Sequence, residues 1–219
     1  MRRAYIEAHM PLDESYRTAA QWAGRIGALI GPSTRAIEAS PWLERMGIPL
    51  GVVGHRHTRF TARPQGTVMA WCLNVGEIMD LERRNNIDGV VAVRATNSFR
   101  PWVTAHDADH LGGQPLDAVA EARPAIKALV DGITGIATVN QGLVDPRERS
   151  AAVQGLTYFR QRGIQLVPEQ LIVEAIRNDW PGDSPLELAR LAGEINRGKR
   201  LRYQQRIRPE VMAEWAQLE

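Results

Sequence analysis

Three apolar runs arrive in quick succession, Ile48 to Val53, Thr67 to Leu73 and Gly89 to Val93, and none alternates polar with apolar residues. A strand with one face in water carries a polar residue at every second position, so unbroken apolar runs of this length imply strands covered on both faces. That restricts the fold to a sheet with helices on either side. Between the second and third runs, Asn74-Val75-Gly76-Glu77 has the cap residue and third-position acid of a capping box. It predicts a helix over Val75 to Arg84 with Ile78, Met79 and Leu81 turned inward. Strand, helix, strand in that order is the signature of a parallel crossover. The link GHRHTRFTARPQG between the first two runs has no helical period, which allows those strands to pair as a hairpin. The expectation is a mixed or mostly parallel sheet of about four to six strands.

Elsewhere the pattern is helical. Ala19, Trp22, Ala23, Ile26, Leu29 and Ile30 recur at three- and four-residue spacing and predict a helix from Tyr16 to Ile30, stopped by Gly31-Pro32. Gly24 and Gly27 weaken that helix by roughly 1 kcal/mol each, and AGRIGALIG also fits a strand with a phosphate loop, although the GxGxxG spacing is missing. A second helix is expected over Ser33 to Met46, and residues 4 to 10 fit an edge strand or a lead-in. After Gly113, helices are predicted over Asp117 to Ile136, broken at Pro124 and Gly132, then from Asp145-Pro146 to Gly163 and over Glu169 to Trp180. Two more follow, from a capping box at Ser184 to Glu187 through Asn196, and from Pro209 to Leu218. Ile164 to Val167 fits one last strand. The chain reads as a single α/β domain over residues 1–219, strand-rich to about residue 138 and helix-rich in its C-terminal third.

Hydrophobic residues make up 44% and charged residues 24%, enough to build a core, which excludes a disordered chain. Net charge is only +2, so any basic surface must be local. Cys72 is the sole cysteine and sits in TVMAWCL, where a small buried side chain is expected; one cysteine makes neither an internal disulfide nor a cysteine zinc site. With no apolar run approaching ~18 residues and no apolar segment behind Arg2 and Arg3, a cytoplasmic protein without a membrane partner is expected.

Polar and ionisable residues gather just after the apolar runs. His55, His57 and Arg59 follow the first, Asn74 the second, and Arg94 the third. His106, Asp107, Asp109 and His110 stand a little further on, in HDADH. In open α/β sheets ligands bind outside the carboxyl ends of the strands, so these residues are expected to share one rim if the strands near Ile48 and Gly89 run parallel. Arginine with histidine suits a phosphate, and the expected function is an enzyme or sensor for a phosphate-bearing small molecule, such as a nucleotide. Hydrolysis or group transfer would use His106, Asp107, Asp109 and His110 as catalytic groups. Arg94, Asn74, His55, His57 and Arg59 would bind the ligand, with Trp102 lining the pocket. Imidazole with carboxylate also suits a divalent metal.

Thr104 to Gly113, TAHDADHLGG, resembles the metal-binding motif of the metallo-β-lactamase family, T-H-x-H-x-D-H-x-G-G, at Thr104, Asp109, His110, Gly112 and Gly113. Ala105 and Asp107 stand where that motif has ligand histidines, so the resemblance implies at most a degenerate metallo-hydrolase-like metal site. A different class of function is carried by RGKRLRYQQRIR, Arg197 to Arg208, where Arg200, Arg202 and Arg206 flank Tyr203 without an acid. That composition suits nucleic acid, or a scaffold role with the histidines incidental.

Overall fold

A computed structural model of the chain describes residues 1–33, 35, 49–53, 58–60, 65–136 and 142–218. Two compact units divide it at Asp117 and Ala118, ahead of the shift toward helical composition near residue 138.

In the first unit β1 (Arg2–Glu7) leads through α1 (Leu12–Ala23) to β2 (Ile26–Gly31). β3 (Leu50–Val53), β4 (Thr58–Phe60) and β5 (Gly66–Trp71) come next, then α2 (Val75–Glu82) and β6 (Ile87–Ala95). A single 3-10 turn over Asn97–Phe99 opens α3 (Arg100–His106), and β7 (Asp109–Gly112) closes the sheet. The seven strands lie in the order β4-β3-β2-β5-β6-β1-β7. All neighbours are parallel except β3 and β4, which pair antiparallel at one edge. The fold is thus α/β, a mostly parallel sheet flanked by helices and followed by helices. The strands near Ile48 and Gly89 run the same way.

Alternation along β1 separates the two faces. Ala4 and Ile6 join Leu29, Met69, Val91 and Val93 in a core that α1 covers with Ala19, Tyr16, Trp22 and Ala23. Arg3 points the other way, to Glu82 at the end of α2. The capping box that starts α2 is present in full, with Asn74 Oδ1 accepting from the Glu77 amide and Glu77 returning to the Asn74 amide, and Ile78, Met79 and Leu81 are buried. β5, α2 and β6 form the expected parallel crossover.

Several expectations are corrected. The helix over Tyr16 to Ile30 is two elements, because Gly24 takes left-handed backbone (φ 79°) and ends α1, and Ile26–Gly31 becomes the buried strand β2. A run apolar on every side satisfies a helical period as readily as a covered strand. The strands at Leu50 and Gly66 form no hairpin, since β2 lies between them and β3 turns back on β4 instead. β1 is interior, with β7 outside it. The helix expected over Ser33 to Met46 lies, apart from Ser33 and Arg35, outside the described residues.

The second unit is helical: α4 (Pro124–Ile136), α5 (Pro146–Gln161), α6 (Pro168–Arg177), α7 (Ser184–Asn196) and α8 (Pro209–Ala216). Leu129, Ile133, Phe159, Leu171, Trp180, Leu188 and Leu191 share its core. Each fully buried side chain of this kind contributes roughly 1.5–3 kcal/mol relative to exposure. Pro124 starts α4 rather than breaking a longer helix, and Gly132 leaves it continuous. Ile164 to Val167 is no strand but the link into α6, held by the Asn196 amide donating to the Leu166 carbonyl at 2.7 Å. The capping box expected at Ser184 is absent: Asp183 holds the cap position without a side-chain bond, and Glu187 is taken up by Arg190.

Candidate functional site

The chain leaves β1 for α1 on one face and leaves β6 for α3 on the other. That α3 shares the face of α2 follows from Trp102, whose indole donates to Glu82 Oε1 at 3.2 Å. Adjacent parallel strands whose connections diverge leave a crevice at their carboxyl ends, the usual ligand position in open α/β sheets.

At that edge β6 carries a bulge. Ile6 registers with Val93 and Glu7 with Ala95, so Arg94 is skipped, adopts left-handed backbone (φ 63°) and is exposed. Bulges of this kind re-aim a side chain, and here one cation is turned out of a strand that is buried from Gly89 to Val93. On the neighbouring strand Cys72 does the same just beyond β5 (φ 54°), its amide donating to the Val93 carbonyl at 3.2 Å. The expectation of a buried Cys72 is therefore wrong: the residue is exposed. Partial burial around the sulfur still raises the thiol above its ordinary value, opposed by the Arg94 guanidinium that hydrogen-bonds it.

Asn74 stands two residues after Cys72, exposed, with its carbonyl oxygen committed to the α2 cap, so its amide nitrogen is what remains for a ligand. Beyond β6, Thr96 Oγ1 and Ser98 Oγ lie 2.9 Å apart and both residues are exposed. Beyond β1, His9 is almost fully exposed, its amide donating to Glu7 Oε2 at 3.1 Å and its ring 3.6 Å from Glu7 Oε1. Glu7, His9, Cys72 and Ser98 thus join Asn74 and Arg94 at the carboxyl edge. No feature of the sequence marks Glu7 and His9, because their place at this edge depends on strand order, whereas Cys72 and Ser98 lie close to Asn74 and Arg94 along the chain.

The HDADH cluster comes apart across three backbone states. His106 ends α3, Asp107 takes left-handed backbone (φ 50°), and Asp109 and His110 begin β7. Asp109 registers with Ala4 and accepts the Trp22 indole N–H at 2.8 Å on the α1 face; His110 registers with Tyr5 and packs against its ring at 5.1 Å on the other. Its Nε2 bonds the Gly112 carbonyl at 3.0 Å. His106 lies inward, edge-on to Trp102 and 3.8 Å from Glu82 Oε2, with its Nε2 unpartnered. Burial first, then Arg3 and the N-terminal amine, lower it to about 4. Burial pushes Glu82 up, against Arg3. Trp102 is completely buried.

Gly112 and Gly113, which carry part of the resemblance to the metallo-β-lactamase motif, are explained by close approach. A Cβ on Gly112 would strike Met10, and one on Gly113 would lie 2.6 Å from Glu7 Cβ. Among the described residues no three His, Cys, Asp or Glu side chains are placed to hold a metal ion. His55 and His57 lie outside the described residues, and of Arg59 only the backbone is described, registered with Val52 across β3 and β4.

Arg200, Arg202, Tyr203 and Arg206 are all exposed in the second unit, between α7 and α8. No described helix is long and apolar enough to cross a membrane. A domain family of unknown function (DUF1889) matches residues 122–216, within that second unit. No curated protein and no solved structure matches the chain.

Proposed function

We propose that the first unit binds a phosphate-bearing small molecule at the carboxyl edge of its sheet, with Arg94 as the anion-binding group. The observation that supports this most is the bulge that turns Arg94 out of β6 beside the crevice between β1 and β6. A guanidinium there offers a fork of N–H donors to phosphate oxygens. The Thr96 and Ser98 hydroxyls and the Asn74 amide supply neutral donors around it. Hydrolysis or group transfer at that phosphate is the proposed chemistry. His9 is better suited to proton transfer than His106, which is pushed down to about 4 and packed against Trp102.

The test is calorimetric titration of the full chain with pyrophosphate and ATP, comparing the natural protein with Arg94→Gly. Glycine suits the left-handed backbone, so the variant removes the cation without straining the bulge. Binding that drops at least ~10-fold in the variant supports the reading, in line with the strength of a charge-assisted hydrogen bond. Equal binding by both proteins, or none by either, overturns it.

A further inference from the structure

We infer that the segment from Arg197 to Arg208, in the second unit, is a binding surface for single-stranded nucleic acid. The segment joins α7 to α8 without helical or strand bonding, yet it is tied down at several points. Leu201 packs on the core of the unit. At the far end Gln154 of α5 accepts the amides of Arg206 and Ile207 at 2.7 and 2.9 Å and donates to the Ile207 carbonyl at 2.7 Å. Ile207 itself is buried against Ala151 and Met212. The result is a fixed basic strap.

Its charges face solvent. Arg200, Arg202, Arg206 and Arg208 are exposed and pair with no acid among the described residues, whereas Lys199 is held by Glu194, which Arg190 shares. Arg160 adds to the surface at the start of the strap, since it lines with Asn196, Gly163 and Gln165 a cleft of about 360 Å³. Between the arginines Tyr203 is 43% exposed. A large ring held open to water among cations is what a stacked base requires, while the cations take the phosphates. Arg200 and Arg206 are at most ~20 Å apart along the chain, a short footprint, and the strap itself carries no helix to insert into a duplex groove.

The experiment uses the full chain and fluorescence anisotropy of labelled oligothymidylate over a range of salt. Exchanging Arg200, Arg202 and Arg206 together for Gln should weaken binding at least ~10-fold and flatten the log–log salt slope by about 2, from ~0.7 per phosphate contact. Tyr203→Ala should weaken oligothymidylate on the order of 5–100-fold while leaving retention on heparin unchanged. A control exchange of the exposed Arg25, Arg83 and Arg123 for Gln should leave affinity intact, with circular dichroism confirming the fold of every variant. The inference is overturned if the natural protein does not bind, if the control loses as much affinity as the strap variant, or if Tyr203→Ala has no effect. It is equally overturned if phosphatidylglycerol vesicles bind the strap more tightly than the oligonucleotide.

Discussion

Cys72 and Arg94 end neighbouring parallel strands side by side, both in left-handed backbone, with the guanidinium of one against the thiol of the other. A non-glycine residue in that region costs roughly 1–2 kcal/mol, so the strain concentrates at the carboxyl edge of β5 and β6. Arg94→Gly should therefore raise the urea midpoint of the first unit while it weakens anion binding. The expected gain is about 0.5–1 kcal/mol, less the greater freedom of glycine in the unfolded chain. Arg94→Val should lower stability by about 1–2 kcal/mol. A stability loss in the glycine variant would show that Arg94 is a packing residue.

His106 should make the fold acid-sensitive. Its value in the fold is about 4 against an ordinary 6.5, so the unfolded chain takes up the proton first as pH falls. Stability is full above about pH 6.5 and declines toward pH 4, by about 1–2 kcal/mol once partial exposure is allowed for. Glu82, pushed up by burial, works the other way, since the fold binds its proton before the unfolded chain does, and offsets part of the loss. His106→Phe should flatten the decline, and the His106 ring signals in an NMR titration should stay constant above pH 5. A ring that titrates near 6.5 refutes the assignment.

Gly132 and Gly135 make a paired test within α4. Alanine at either gains about 1 kcal/mol of helix propensity. At Gly135 the new methyl meets nothing within 4 Å, but at Gly132 it strikes the indole of Trp215 on α8. Gly135→Ala should stabilise the second unit and Gly132→Ala should destabilise it by about 1–3 kcal/mol, with a shift in tryptophan emission. Stabilisation by both exchanges would mean that α8 does not pack there.

Gln154→Ala leaves the backbone groups of Arg206 and Ile207 without partners, some of them buried. The expected cost is about 2–4 kcal/mol, at 1–3 kcal/mol for each unmet buried group. Hydrogen exchange should show those two amides losing protection while α5 keeps its own.

Much of the architecture is legible in the sequence because covered strands and capped helices leave local marks. Asn74 and Glu77 announce α2, and Asp145-Pro146 announces α5. β2 is misread because Ile26, Leu29 and Ile30 are buried on both faces, which erases the alternation that separates strand from helix. The HDADH cluster is misread for a different reason: its side chains are close in sequence, but Asp107 turns the chain and neighbouring strand residues face opposite ways, toward Trp22 and Tyr5. Arg94 and Asn74 are legible at the carboxyl edge from their position after apolar runs. Glu7 and His9 are not, since only the insertion of β1 between β6 and β7 brings them there.

The three bonds that Gln154 makes order the strap as the helices fold. A basic segment free in solution gives up about 1–2 kcal/mol of backbone entropy per residue when it orders on a partner. Here part of that freedom is surrendered when the helices fold, before any partner arrives. The affinity of the strap is then set in part by an uncharged side chain that touches no ligand, and loosening Gln154 would weaken binding without removing a single cation.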